Sequence, residues 1–303
     1  MNPPSNALPE SAISPAPAIA RATRPFYWSV RRELWEYRAI YLAPLAIAGV
    51  IVLGFVFVLA GLPHTVRDAM GMGAEHQRDA MAHPFDIAAG LIMAASFIVS
   101  FYYALDTLYG ERRDRTILFW KSLPVSDLTT VLAKASVLLL VLPAVSFVIT
   151  VVTETIILLL SSAVLAAHGL SVSTFWAELR PYQTLLMLGY HLVTVHILWY
   201  APIYAWLMLI SAWARRAPLL WAALPPFAIS VFERIAFHTH YFTDFLGRRF
   251  SGGTEAVSSG MLDPEMKITP GHFMATPGLW LGLLFAAAFL FVAARLRRYR
   301  GPI

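Results

Sequence analysis

Residues 87–160 read IAAGLIMAASFIVSFYYALDTLYGERRDRTILFWKSLPVSDLTTVLAKASVLLLVLPAVSFVITVVTETIILLL, and this stretch decides the fold. Its first part, Ile87 to Leu108, contains one charged residue in 22, and its last, Ala135 to Leu160, one in 26. At 1.5 Å per residue, either run is long enough to cross a hydrocarbon core of about 30 Å as a helix. Between them lies an island dense in charge, Leu108 to Lys134. Two lipid-soluble helices joined by a charged connection mark an integral membrane chain, and the island is its conspicuous polar surface.

Working outward, four more segments qualify or nearly qualify as spans: Tyr41 to Leu62, Thr184 to Ile210, Ala217 to Phe237 and Phe273 to Ala294. The expected fold is therefore an all-α integral membrane protein with six spans over residues 41–294. The fifth span is the weakest, because Glu233 and Arg234 fall inside it; about 25 Å from Arg216 along a helix, they should sit at an interface where arginine can snorkel. Composition agrees, with 58% hydrophobic and 14% charged residues against roughly 25% charged in soluble domains. The net charge of +5 would raise nucleic acid as a partner of a soluble chain. Here the basic residues flank apolar spans, so lipid headgroups are the simpler partner and no nucleic acid is expected. The chain has no cysteine, which excludes disulfides, thiolate metal sites and cysteine nucleophiles.

Orientation follows from the basic residues. The two ends, the island and the short turn at Arg215-Arg216 carry 16 of the 23 Lys and Arg. Both termini and the island are thus expected on the cytoplasmic side, in a bacterial inner membrane, with His238 to His272 the largest outward segment. Residues 1–25 are Pro- and Ala-rich and read as a disordered tail; residues 295–303 read as a basic tail. Over 26–40, Phe26, Val30, Leu34, Tyr37 and Tyr41 recur at helical spacing, while Arg31, Arg32, Glu33, Glu36 and Arg38 fill the other faces. This predicts an amphipathic interfacial helix, with Trp28 and Trp35 at headgroup level.

No phosphate-binding G-x-x-x-x-G-K-[ST], no G-x-G-x-x-G after a strand and no H-E-x-x-H occurs. If the chain uses ATP, another chain must hold it. Within the island come Glu111-Arg112, then Thr-Ile-Leu-Phe-Trp (Thr116 to Trp120), Ser-Leu-Pro-Val-Ser (Ser122 to Ser126) and Lys134. In this order they resemble the E-R-x-x-G-T-L-x-x-L-x-x-x-P-[VI]-S-like segment between helices two and three in permeases of ABC-2 type ATP-binding-cassette (ABC) transporters. Arg115 stands where those permeases usually have Gly, and Trp120 and Lys121 where they more often have Leu or a polar residue.

The resemblance implies that the island contacts a separate ABC-type ATPase, which would hold ATP and magnesium, with no cofactor bound directly by this chain. Glu111, Arg112, Arg113, Arg115 and Lys121 would supply its charge, and Ile117, Leu118, Phe119, Trp120 and Leu123 its apolar anchors for a cleft on a soluble partner. Arg112 to Leu123 is expected to form one short helix, which Pro124 should end, and Ser126 should cap a new one, with Asp127 favoured in its first turn. The bland alternative is a solvated loop with a positive-inside charge excess. Arg215-Arg216 is either a second cytoplasmic contact or a plain topology determinant.

Polar residues within spans are costly and often mark a pathway. Glu154 lies about 30 Å from Lys134 along a helix, near the outer interface, where it is either a pathway residue or a carboxylate with no specific task. The run from Val131 to Ala167 would reach about 55 Å as one helix, so it must tilt, bend or leave the membrane, and Pro143 offers a bend. His191 and His196, five residues apart, should point about 140° from each other on an α-helix. His196, Tyr200 and Tyr204 form one stripe, lining either a pathway, a subunit seam or a packing contact within the chain. His238, His240 and Asp244 are a weak metal signal, and no metal site is expected.

Taken together, the expectation is a permease subunit of an ATP-driven exporter, not itself an enzyme, paired with a second permease as homodimer or heterodimer. The rivals are a self-contained secondary transporter or channel, which would need ionisable groups near the midplane, and a non-transporting component of a sensing or maturation complex.

Overall fold

In lipid a backbone must satisfy its own hydrogen bonds, and a single apolar segment can do so only as a helix. The computed structural model, which describes residues 25–71, 73–123, 125–252 and 270–303, is helical throughout, with no strand among the described residues. The expected tail up to Arg24, the break at Pro124 and the centre of the outward segment, 253–269, lie outside the described residues.

The helices are α1 (Pro25–Glu36), α2 (Ala39–Val58), α3 (Leu62–Met70), α4 (Ala74–Asp106), α5 (Tyr109–Arg113), α6 (Ile117–Ser122), α7 (Asp127–Ser136), α8 (Leu142–Ala167), α9 (Val172–Leu179), α10 (Pro181–His191), α11 (Ala201–Trp213), α12 (Pro218–Phe237), α13 (Tyr241–Phe250), α14 (Pro270–Ala275) and α15 (Pro277–Tyr299). Among the described residues five helices are long and apolar enough to span a membrane: Ala39–Val58, His76–Arg113, Asp127–Ala167, Pro218–Phe237 and Pro277–Tyr299. A sixth exists only if Val172–Trp199 and Ala201–Trp213, bent by 43° from each other, are one span.

Two wide turns of π-helix account for the irregularities. Val137–Val141 precedes Pro143, and Leu192–Trp199 precedes Pro202. A proline ring clashes with the carbonyl four residues back, and a wider turn relieves it: Leu142 N–H reaches Val137 O, and Tyr200 N–H reaches Val195 O, five residues back instead of four. At Pro143 the helix continues, so Asp127–Ala167 runs for 41 residues. That is about 60 Å, and the excess beyond the lipid core is used to support an extra layer.

This layer is made where the apolar runs alone predicted loops. Val66 and Ala69 of α3, Met81 and Phe85 of α4, Ile157 and Leu165 of α8 and Phe175 of α9 form one buried cluster. The main core lies toward the other end and joins Tyr103 and Leu108 to Leu138, Leu142, Tyr204, Met208 and Ala293. Small residues such as Ala104, Ala135, Ala212 and Ala293 are buried there, as expected where helices associate through close packing and not through exclusion of water. Buried Ser96, Ser100, Thr150, Thr153 and Ser161 each donate to the carbonyl four residues back, so these hydroxyls cost little in an apolar interior. α12 is the outlier: its only buried residue is Ala222, and Trp221, Phe227, Phe232 and Ile235 are exposed.

Candidate functional site

The charged island folds as two short helices and a break. α5 continues from α4, and at Arg115 the backbone takes φ +60°, a left-handed conformation that costs an L-residue about 1–2 kcal/mol. The reversal separates α5 from α6, so the single helix expected over Arg112 to Leu123 is two. α6 ends at Leu123 in an extended conformation. Ser126 then caps α7 as expected, its Oγ accepting from Thr129 N–H at 3.0 Å.

Beneath α6 lies a group of six charges from four regions of the chain. Lys134 Nζ donates to Glu33 Oε1 at 2.8 Å and to Thr107 Oγ1 at 3.0 Å, and stands 3.1 Å from Glu111 Oε1. Glu111 Oε2 accepts from Arg297 Nη2 at 3.0 Å, and Arg297 also pairs with Asp127. Arg32 bridges Glu33 and Glu111, at 3.2 Å from the latter. Tyr103 Oη completes the Glu33 shell at 3.0 Å. Three carboxylates thus meet three cations, so the group is neutral as a whole. Glu33, Lys134, Glu111 and Arg297 are 4% exposed or less, far too buried for any one of them to stay charged alone.

Burial is the largest influence on Glu33 and favours its neutral form, but the Lys134 ammonium and the Arg32 guanidinium outweigh it and hold the carboxyl below its ordinary value. Glu36, half-exposed at the rim, is pushed up by partial burial and by the Glu33 charge.

The island is tied down on two further sides. Ser211 Oγ accepts from Leu108 N–H at 3.1 Å and Tyr109 N–H at 2.9 Å, and Arg112 Nη1 donates to Ala212 O at 2.6 Å and Ala214 O at 3.1 Å. Arg112 thereby brings the exposed turn with Arg215 and Arg216 beside the island. The end of the chain closes the other side: Lys121 Nζ donates to Arg298 O and Arg300 O, each at 3.2 Å, and Ile303 N–H to Arg112 O at 3.1 Å.

What the island leaves outside is narrow. Leu118 and Phe119 are 58% and 60% exposed and Leu123 is 40% exposed, with Arg113, Arg115 and Lys121 around them. Ile117 is buried, and Trp120 is half-buried with the Arg32 guanidinium 3.9 Å above its ring. These two hold α6 to the bundle, and Leu118 and Phe119 face away from it. α1 is likewise less a free interfacial helix than a packed one. Its Phe26, Tyr27, Trp28 and Trp35 are exposed, while Glu33, assigned to the polar face from spacing, is wholly buried.

The remaining candidate residues are elsewhere. His196, Tyr200 and Tyr204 do form a stripe, with ring centroids 5.5 and 6.3 Å apart, and it packs on Phe97 of α4. The π-turn corrects one expectation: with the extra residue per turn His191 and His196 come onto one side, 6.1 Å apart. No group of three or more His, Cys, Asp or Glu that could hold a metal ion is present among the described residues. Glu154 is buried in α8, with its Oε1 lacking a hydrogen-bond partner.

Sequence reasoning missed the six-charge group. Its one local signal was Lys134, set two turns inside a long apolar helix where an unpaired ammonium would not be tolerated; Glu33 and Glu111, its matching charges, lie 101 and 23 residues away. No protein-family model, curated protein or solved structure matches this chain.

Proposed function

We propose that this chain is the membrane-spanning subunit of an ATP-driven transporter of the ABC-2 type, moving its substrate outward and drawing its energy from a separate ATPase. The bent pair α10–α11 is then one broken span, giving six. Both termini and the charged island lie in the cytoplasm of a bacterial cell, with the spans in its inner membrane. The observation that carries this reading is α6: an apolar pair, Leu118 and Phe119, ringed by basic residues and mounted on buried ion pairs that join α1, α5, α7 and α15. A loop that only solvates the membrane surface needs no such footing. A helix that must pass a push from a soluble motor into the bundle does, because Trp120 holds α6 against Arg32 of an ion-paired group that joins the ends of three long helices.

A second permease, identical or related, completes the pathway. The exposed faces of α12 supply apolar surface for it, shared with lipid. The order of residues in the island supports the ABC-2 assignment, and Arg115 φ +60° gives a physical reason why glycine would suit that position in related chains.

The test is co-purification. This chain, co-expressed with an ATPase that carries a phosphate-binding loop and is encoded beside it, should retain that ATPase. Leu118→Asp with Phe119→Asp should lose it while the permease still elutes as one symmetrical gel-filtration peak. Retention of the ATPase by this variant would refute the assignment of α6 as the docking helix.

A further inference from the structure

The end of the molecule away from the ion-paired group contains a cleft that the proposed function leaves unused. Along α4 it lies about 30 Å from Tyr103. Arg78, Phe85 and Asp86 of α4 line one side, Glu154 and Leu158 of α8 the floor, and Leu185 of α10 the other side. Arg78, Ala82, Phe85 and Asp86 reach the cleft together because three- and four-residue steps on a helix return to one face. The other wall exists because the chain reverses between α9 and α10 at Arg180, φ +44°, which sets Leu179 and Pro181 at the mouth. The cleft is open on one side.

Its chemistry is asymmetric. Glu154 is 8% exposed and its Oε1 receives no hydrogen bond. Thr155, next to it, does not help, since its hydroxyl donates to Val151 O at 2.7 Å. Arg78 lines the same space, yet its Nε has no partner and no ion pair joins it to Glu154. Two carboxyl groups, Glu154 and Asp86, therefore face one guanidinium, so acids outnumber bases beside an aromatic ring and aliphatic walls. A buried carboxylate oxygen without a donor is costly. A ligand that brings one positive charge and an apolar body would satisfy the oxygen, offset the excess of acids and cover the Phe85 face, toward which cations are attracted.

We propose that this cleft binds an amphiphilic organic cation, with its charged head between Glu154 and Asp86 and its apolar part against Phe85, Leu158 and Leu185. Such a head is carried equally by a free lipophilic amine or by the amine of a lipid headgroup. The site is independent of the docking reading: it is a property of this chain alone, and its failure would leave α6 untouched.

The experiment uses the full chain in nanodiscs, without any ATPase, and radiolabelled 4-phenylbutylamine, a primary amine with an apolar body, as the probe. In phosphatidylglycerol discs the chain should bind the probe saturably above the partition into empty discs. Glu154→Gln, nearly isosteric, should weaken that binding about 10-fold or more, and so should Leu185→Trp, which fills the cleft and keeps both carboxylates. Both variants are first checked for an unchanged gel-filtration profile and melting temperature. Phosphatidylethanolamine discs separate the sources: weaker probe binding there identifies the lipid amine as occupant, and unchanged binding identifies a free cation. Absence of saturable binding in both disc types, or wild-type binding by a folded Glu154→Gln, overturns the proposal.

Discussion

Lys134→Met removes one charge from the buried group and little else, since methionine keeps most of the stem. Lys134 Nζ is 2.8 Å from Glu33 Oε1 and 3.1 Å from Glu111 Oε1, on a side chain 1% exposed. At an effective dielectric of 20 each contact is worth about 5 kcal/mol, and part of this is offset because the ammonium no longer has to be desolvated. The variant keeps three carboxylates and two cations in the same volume, and breaking a buried pair in this way costs about 3–5 kcal/mol. At a few degrees per kcal/mol for a chain of this size, the melting temperature should fall by roughly 10 °C.

The pH dependence sharpens the test. In the wild type Glu33 is held below its ordinary value of 4.5. Its contribution is therefore present above pH 4.5 and lost only as pH falls through the still lower folded value. Between pH 5 and 8 that contribution is constant. Without Lys134 the leading influence is burial, which raises the carboxyl, so the folded variant takes up a proton before the unfolded chain does and gains stability as pH falls. Melting followed by fluorescence-detected gel filtration in maltoside should show a gap between wild type and variant that is large at pH 8 and less than half as large at pH 5. A gap that is absent, or equal at both pH values, would refute the reasoning that the six charges form one compensated group.

Substitutions at three further positions probe other contacts. Arg115→Gly should raise the melting point, because it relieves a left-handed arginine worth about 1 kcal/mol, whereas Arg115→Val should lower it; equal melting of the two would contradict the φ of +60°. Ser211→Ala leaves Leu108 N–H and Tyr109 N–H without an acceptor and should cost about 1–3 kcal/mol, measured by the same melt. A Cβ at Gly282 would lie 1.4 Å from Arg249 Nη2. Gly282→Ala should therefore displace Arg249 from Gly278 O and the Trp199 ring and speed tryptic cleavage after Arg249, with no change in rate counting against that packing.

What was legible in the sequence was local. Apolar runs located the long helices, and the Ser126 cap followed from residues adjacent in the chain. Features that depend on distant partners were not. The polar first turns of α4 are helical because Met81 and Phe85 pack on α8 and α9, a fact their own hydropathy does not carry. Glu33 looked solvated because its helix spacing put it with Arg31 and Arg32, and only the position of Lys134 reveals that the face is buried. His191 and His196 were misread because the α-helical period was applied across a π-turn that Pro202 induces six residues beyond His196.

The ion-paired group also sets an order of biogenesis. Glu111 and its partner Arg297 are 186 residues apart, so at about 5–20 residues per second a ribosome needs roughly 10–40 s to supply the arginine after the glutamate. Throughout that interval Glu111 and Asp127 cannot be sealed into the bundle, and the footing of α6 stays wet. α6 gains its full footing only when α15 has been made, so the whole chain must be in place before this surface is rigid.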